Sequence, residues 1–155
     1  MLIKNAIVFD PDKVFRNREI NISGEKFVES SFMNLGFSSD SDKKHEKRQI
    51  DATGLYAIPG LIDIHFHGCM GDDFCDAKDD TIKNIAKYEA RSGITSICPA
   101  TMTISKDELR EVMRKAAAYK SEEGAKLVGI NMEGPFISEK KKGAQDASHI
   151  LDFDL

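Results

Sequence analysis

The chain has 155 residues, 41% of them hydrophobic and 31% charged, and a net charge of −4. That describes a folded chain of about one ordinary domain, with no broad attraction to nucleic acid or to an anionic membrane. No apolar run reaches transmembrane length, and the N-terminus lacks the basic start, long apolar stretch and small-residue cleavage site of a signal peptide, so a cytoplasmic protein is expected. The cysteines Cys69, Cys75 and Cys98 are an odd count without Cys-X-X-Cys, which argues against a disulfide framework or zinc ribbon.

Leu2 to Phe9 is apolar and ends at the turn signal Asp10-Pro11-Asp12, which predicts a strand. Arg18 to Ser23 alternates polar and apolar residues, and Ser23-Gly24-Glu25-Lys26 reads as a hairpin turn into Phe27-Val28. A small antiparallel sheet is expected here. Residues 30–48 are a polar, charge-rich loop whose His45 reads as a surface residue. Ile50 to Ile58 is apolar again around Thr53-Gly54, consistent with a further strand pair.

Leu61 to Ile64 is an apolar run after Pro59-Gly60, read as a buried strand leading into His65-Phe66-His67-Gly68. Residues two apart point to one face of a strand, so the two imidazoles are expected to project together. Such a pair can hold a divalent metal, but histidines so spaced also pack in cores and loops, and a metal needs further ligands. The stretch 68–74 is a glycine-bearing loop without a phosphate-loop pattern. Lys78 to Ser92 predicts a helix capped by Asp79 or Asp80, with Ile82, Ile85, Ala86 and Ala90 on one face and Gly93 at its end. Ile94 to Cys98 is a β-branched strand stopped by Pro99. Ser105 and Glu108 form a capping box ahead of a helix whose apolar face is Leu109, Val112, Met113, Ala116 and Ala117, closed by Gly124. Lys126 to Met132 is a third strand.

Strand–helix–strand–helix–strand implies parallel strands with right-handed crossovers, and chemistry collects at the C-terminal ends of such strands. His65 and His67, the segment Pro99 to Thr103, and Glu133 all fall on that rim. A strand-end glutamate alone reads as solvated or ion-paired; beside two histidines it becomes a candidate ligand. Lys140, Lys141 and Lys142 favour an anionic substrate, though a solvated lysine cluster is the commoner reading of such a run.

Four stretches carry a resemblance: Pro59 to Gly68, Gly93 to Thr103, Gly129 to Ser138, and Lys141 to Gln145. In this order and spacing they resemble the N-acetylglucosamine-6-phosphate deacetylase family of the amidohydrolase superfamily. The first is shared widely among amidohydrolases; Glu133-Gly-Pro-Phe136 with Lys141-Lys-Gly-Ala144 is the more specific part. The resemblance implies an α/β fold: a partial (β/α)8 TIM barrel of three βα units over residues 59–155, preceded by strands of a small β-sandwich domain over 1–58. It implies metal-dependent hydrolysis of N-acetylglucosamine 6-phosphate to glucosamine 6-phosphate and acetate, with zinc or iron, one or two ions. Glu133 matches the family's metal-ligating glutamate, and His65 and His67 match its first-strand positions. Ala144 and Gln145 match a substrate-contacting pair in which many members carry histidine where Gln145 stands; an amide can hydrogen-bond a sugar but cannot be cationic. A homodimer is implied for the full-length protein.

A complete barrel takes about 250 residues. The chain is therefore expected to be an N-terminal fragment, inactive alone, with the family's later histidine ligands and its catalytic aspartate beyond residue 155. His149, close behind the substrate loop, is the one remaining histidine candidate. The alternatives are another amidohydrolase, such as a cyclic-amide hydrolase or a deaminase, and a non-catalytic fragment.

Overall fold

A computed structural model describes residues 1–28, 48–121 and 123–153. The polar loop predicted over 30–48, with His45, lies outside the described residues except for Arg48. Contacts divide the chain into two units, Met1–Pro59 and Gly60–Leu155.

In the first unit, β1 (Leu2–Phe9), β2 (Phe15–Ser23) and β3 (Lys26–Val28) form an antiparallel meander. β2 starts three residues before the predicted Arg18. The connection is held by charge: the Asp10 carboxylate accepts from Arg18 Nε at 2.8 Å and from Arg16 Nη1 at 2.9 Å. The Arg18 hydrogen bond holds Asp10 below the usual carboxylate range. The sheet is not wholly antiparallel as expected. β4 (Gln49–Asp51) and β5 (Tyr56–Ala57) both pair in parallel with β1, Leu2 facing Gln49 and Ile7 facing Tyr56. The chain returns along the free edge of β1 and steps outward between the two contacts at a turn in which Leu55 N donates to Ala52 O.

The second unit opens with β6 (Leu61–Asp63). The stretch predicted as plain loop contains a two-residue hairpin, β7 (Gly68–Cys69) with β8 (Asp72–Asp73), and a 3-10 turn, Phe74–Asp76, which buries Phe74. Helix α1 (Thr81–Arg91), strand β9 (Ile94–Ile97), helix α2 (Lys106–Ala118) and strand β10 (Lys126–Leu127) follow. β6, β9 and β10 pair in parallel with β9 central, as the alternating elements require. β10 is shorter than the predicted strand, with one further bridge between Ala100 and Asn131.

The core gathers Phe74, Ile82, Ile85 and Ala86 with Ile97, Val112, Ala116 and Ala125. On α1 the buried stripe is Ile82, Ile85, Ala86 and Glu89, whereas Ala90 is exposed. At 3.6 residues per turn, position 89 lies about 20° from Ile82 around the axis and position 90 about 80°, so geometry overrides side-chain polarity. Asp80 stands at the N-cap of α1 without a side-chain cap bond, and Asp79 pairs instead with Lys115 of α2. The α2 capping box forms in both directions: Glu108 N donates to Ser105 Oγ, and Ser105 N donates to Glu108 Oε2. Gly124 has φ +94°, and a Cβ there would stand 2.6 Å from the Ala86 carbonyl carbon, so its backbone lies directly on α1.

The run from Leu61 to Ile64 is not buried as predicted. Leu61, Ile62 and Ile64 are each more than half exposed, because the core forms around β9 and the helices and leaves this run outside it.

Burial, then the charge of Asp63, pushes the Glu89 carboxyl above the usual glutamate range. Protonated Glu89 therefore favours folding, fully below the unfolded value and progressively less as pH rises through the raised folded value. Glu89→Gln is expected to be more stable than the parent near pH 7 and to lose that advantage below about pH 4; urea unfolding at both pH values checks this. Ser105→Ala, which removes the α2 cap, is expected to cost about 1 kcal/mol in the same measurement.

Candidate metal centre

β6 ends at Asp63, and the two histidines lie beyond it. Asp63 turns the chain there, its Oδ1 accepting from His65 N at 3.0 Å. Parallel pairing continues past the strand ends: Cys98 N donates to Asp63 O and Ala100 N to Phe66 O, each at 2.7 Å. From Asp63 to Phe66 the chain advances three residues against two on the other side, from Cys98 to Ala100, so it bulges at the His-X-His and the two rings come together with centroids 5.5 Å apart. On the other side of β9, Asn131 N donates to Pro99 O at 2.9 Å and Thr101 N to Asn131 O at 3.0 Å. That ladder delivers Glu133 to the rim that holds the histidines.

Glu133 Oε2 stands 3.4 Å from His67 Nε2 and 3.6 Å from His65 Nε2. Donor atoms from all three residues lie within 4.8 Å of one another, the single such group of three or more among the described residues. Two ligand atoms on a tetrahedral zinc at about 2.05 Å sit roughly 3.3 Å apart, close to the spacing seen from Glu133 to each ring. Among the described residues, Glu133 Oε2 and His67 Nδ1 are buried without a hydrogen-bond partner. A buried carboxylate oxygen left without a donor is costly, and a cation beside it relieves that cost. Imidazole and carboxylate suit zinc or iron. The residues present thus fit a divalent ion.

Asn131 carries no role in the sequence reading, yet its Nδ2 stands 3.0 Å from His65 Nδ1 and donates to Ile64 O at 3.3 Å. It touches the nitrogen of His65 that faces away from Glu133 and presents an N–H donor there; a histidine ligating through Nε2 carries its proton on Nδ1, so the carboxamide matches a ligating ring only with its oxygen turned to that nitrogen. Thr101 and Thr103 bond the backbone of Glu133. Strand order alone places their segment on the rim; the hydroxyls have no signal in spacing or charge.

The remaining candidates lie elsewhere. Ala144 is exposed. The Gln145 side chain turns inward: the residue is 5% exposed, and Oε1 accepts from Thr103 N at 2.7 Å. Lys142 Nζ donates to Gln145 O, while Lys140 and Lys141 are exposed on the turn Glu139–Lys141. His149 ends the turn Ala147–His149 and is not part of the His65, His67, Glu133 group. The three cysteines are free and half-buried, and Cys75 Sγ accepts from Met102 N.

No family profile matches the chain. An N-acetylglucosamine-6-phosphate deacetylase of Bacillus subtilis is 30% identical over 161 residues, spanning all of this chain and 39% of that protein. Over its whole length this chain is similar to that deacetylase. A deacetylase of that name from Thermotoga maritima superposes with a TM-score of 0.73 at 26% identity, over 99% of this chain and 38% of that one. One from Mycobacterium smegmatis, solved in complex with N-acetyl-D-glucosamine-6-phosphate, superposes with a TM-score of 0.72 at 23% identity, over 99% of this chain and 38% of that one, and shows the same fold. The chain thus spans about two fifths of the length of these deacetylases. Among the described residues, no helix is long and apolar enough to cross a membrane.

If the three residues hold an ion, equilibrium dialysis against zinc is expected to leave about one ion per chain. His67→Ala or Glu133→Gln is expected to weaken that binding at least tenfold, while His149→Ala leaves it unchanged.

Proposed function

We propose that His65, His67 and Glu133 are ligands of the metal site of an N-acetylglucosamine-6-phosphate deacetylase, holding zinc or iron as one or two ions. The whole protein then hydrolyses N-acetylglucosamine 6-phosphate to glucosamine 6-phosphate and acetate. The observation that carries this reading is the convergence of the three donor atoms at the C-terminal rim of a parallel sheet, in a chain similar to these deacetylases. The same similarity supports reading 59–155 as the opening βα units of a (β/α)8 barrel and 1–58 as strands of a small β-sandwich domain.

A divalent ion supplies Lewis acidity, which activates water and polarises an amide carbonyl near neutral pH. The chain's own residues set the conditions for it. Two neutral imidazoles and one carboxylate leave net positive charge on an M²⁺ centre, which preserves that acidity. Asn131 stands against the His65 ring on the side away from Glu133. Lys140 and Lys141 place two exposed cations on the loop beside Ala144, suited to a phosphate. Ala144 keeps the substrate contact that the resemblance implies, whereas for Gln145 that contact competes with the hydrogen bond from Thr103. A phosphorylated sugar does not cross membranes unaided, which supports a cytoplasmic site of action.

The test is acetate release from N-acetylglucosamine 6-phosphate by the longest product of the gene, loaded with zinc or iron. Unphosphorylated N-acetylglucosamine is expected to be turned over at least tenfold less efficiently in kcat/KM. Glu133→Gln is expected to lower kcat on the phosphorylated substrate at least a hundredfold. Preferential hydrolysis of a cyclic amide, or activity untouched by chelation, counts against the proposal.

A further inference from the structure

We infer that the hydroxyls of Thr101 and Thr103 are positioning groups for Glu133, fixing where its carboxylate stands beside the two histidines, and that Gln145 holds Thr103 in place for that task. The purpose rests on the metal-site reading above; the geometry does not.

β10 ends at Leu127, and the last backbone bridge to β9's continuation is at Asn131. Glu133 therefore lies past the ladder, where its own N–H and C=O need partners. The two threonines supply one each. Glu133 N donates to Thr101 Oγ1 at 3.2 Å, and Thr103 Oγ1 donates to Glu133 O at 3.2 Å. A hydroxyl accepts in one bond and donates in the other, which valine, of the same shape, does in neither. Thr101 is 0% exposed and Thr103 3%. A Cβ on Gly134 would stand 2.1 Å from Thr103 Oγ1, so the glycine is what lets the threonine reach the Glu133 carbonyl.

Glu133 Oε2 has no hydrogen-bond partner among the described residues and faces the two imidazoles at 3.4 and 3.6 Å. The threonines fix the peptide groups from which that side chain starts. Thr103 is anchored in turn: its N–H donates to Gln145 Oε1 at 2.7 Å, the carboxamide being buried under its loop. A change in the 139–149 loop, where the substrate contacts are proposed, is therefore passed to Glu133 through one buried hydrogen bond and one hydroxyl.

The experiment compares Thr101→Val, Thr103→Val and Gln145→Leu with Thr101→Ser and Thr103→Ser in the 155-residue chain by two readouts. Without metal, NMR follows amide exchange of Glu133 and through-space contacts between its γ-protons and the His67 ring. With zinc, titration gives affinity. Each valine variant and Gln145→Leu are expected to lose the Glu133–His67 contact and to bind zinc 10–100-fold more weakly. The serine variants are expected to keep the contact and bind within about threefold of the parent. Gln145→Leu leaves both hydroxyls in place and carries the test alone if a valine variant does not fold. Retention of the Glu133–His67 contact in Gln145→Leu or in a folded valine variant overturns the inference, as does its loss without a change in zinc affinity. A parent that shows the contact but binds no zinc refutes the metal reading, while the contact measurement still decides the positioning.

Discussion

The parallel register across β9 is the constraint on which the site depends. One side of the strand and its continuation receives the chain from Leu61 to Phe66, through Asp63 O and Phe66 O. The other receives Lys126 to Asn131, through Ile97 O and Pro99 O. Because all three segments run the same way, their ends reach one rim, and histidines and glutamate separated by more than sixty residues come within 3.4–3.6 Å. An antiparallel arrangement of the same segments would send Glu133 to the opposite end. The helices matter to the chemistry only indirectly: α1 and α2 bury the core around Ile97 and so fix the strand that carries the register.

The regular ladder is short. The named strands end at Asp63, Ile97 and Leu127, before any site residue. What lies beyond is held by single bonds of different kinds: a carboxylate on the His65 amide, a side-chain amide against the His65 ring, two hydroxyls on the Glu133 peptide. Such bonds tolerate the departure from strand geometry that lets two rings and a carboxylate face one point.

Legibility in the sequence follows the range of the forces involved. The α2 capping box is a local pattern four residues long, and it forms as read. The alternation of β-branched runs with amphipathic helices implies parallel order, since each helix carries the chain back to start the next strand at the same end. The parallel return of β4 and β5 along β1 is not legible, because apolar strands carry no mark of direction and only the tertiary edge of β1 selects it. Polarity favours Ala90 over Glu89 for the buried face of α1, yet the angle around the helix decides for Glu89. The burial expected for Leu61 and Ile62 comes from composition, but burial is a property of what packs against a strand, and apolar character alone supplies no neighbour.

The donor set shows the same division. His65, His67 and Glu133 are legible because their side chains are chemically distinctive and their spacing places them at strand ends. Thr101, Thr103, Gln145 and Asn131 are not, because a hydroxyl or amide acquires a role only from the group it meets. Gln145 is the clearest instance. The resemblance implies a substrate contact for it; folded, it is buried and its oxygen is committed to the Thr103 amide. A carboxamide suits that place, since a neutral acceptor keeps the buried bond at any pH. A glutamine that reads as a weakened substrate contact is thereby consistent with a strengthened scaffold under Glu133.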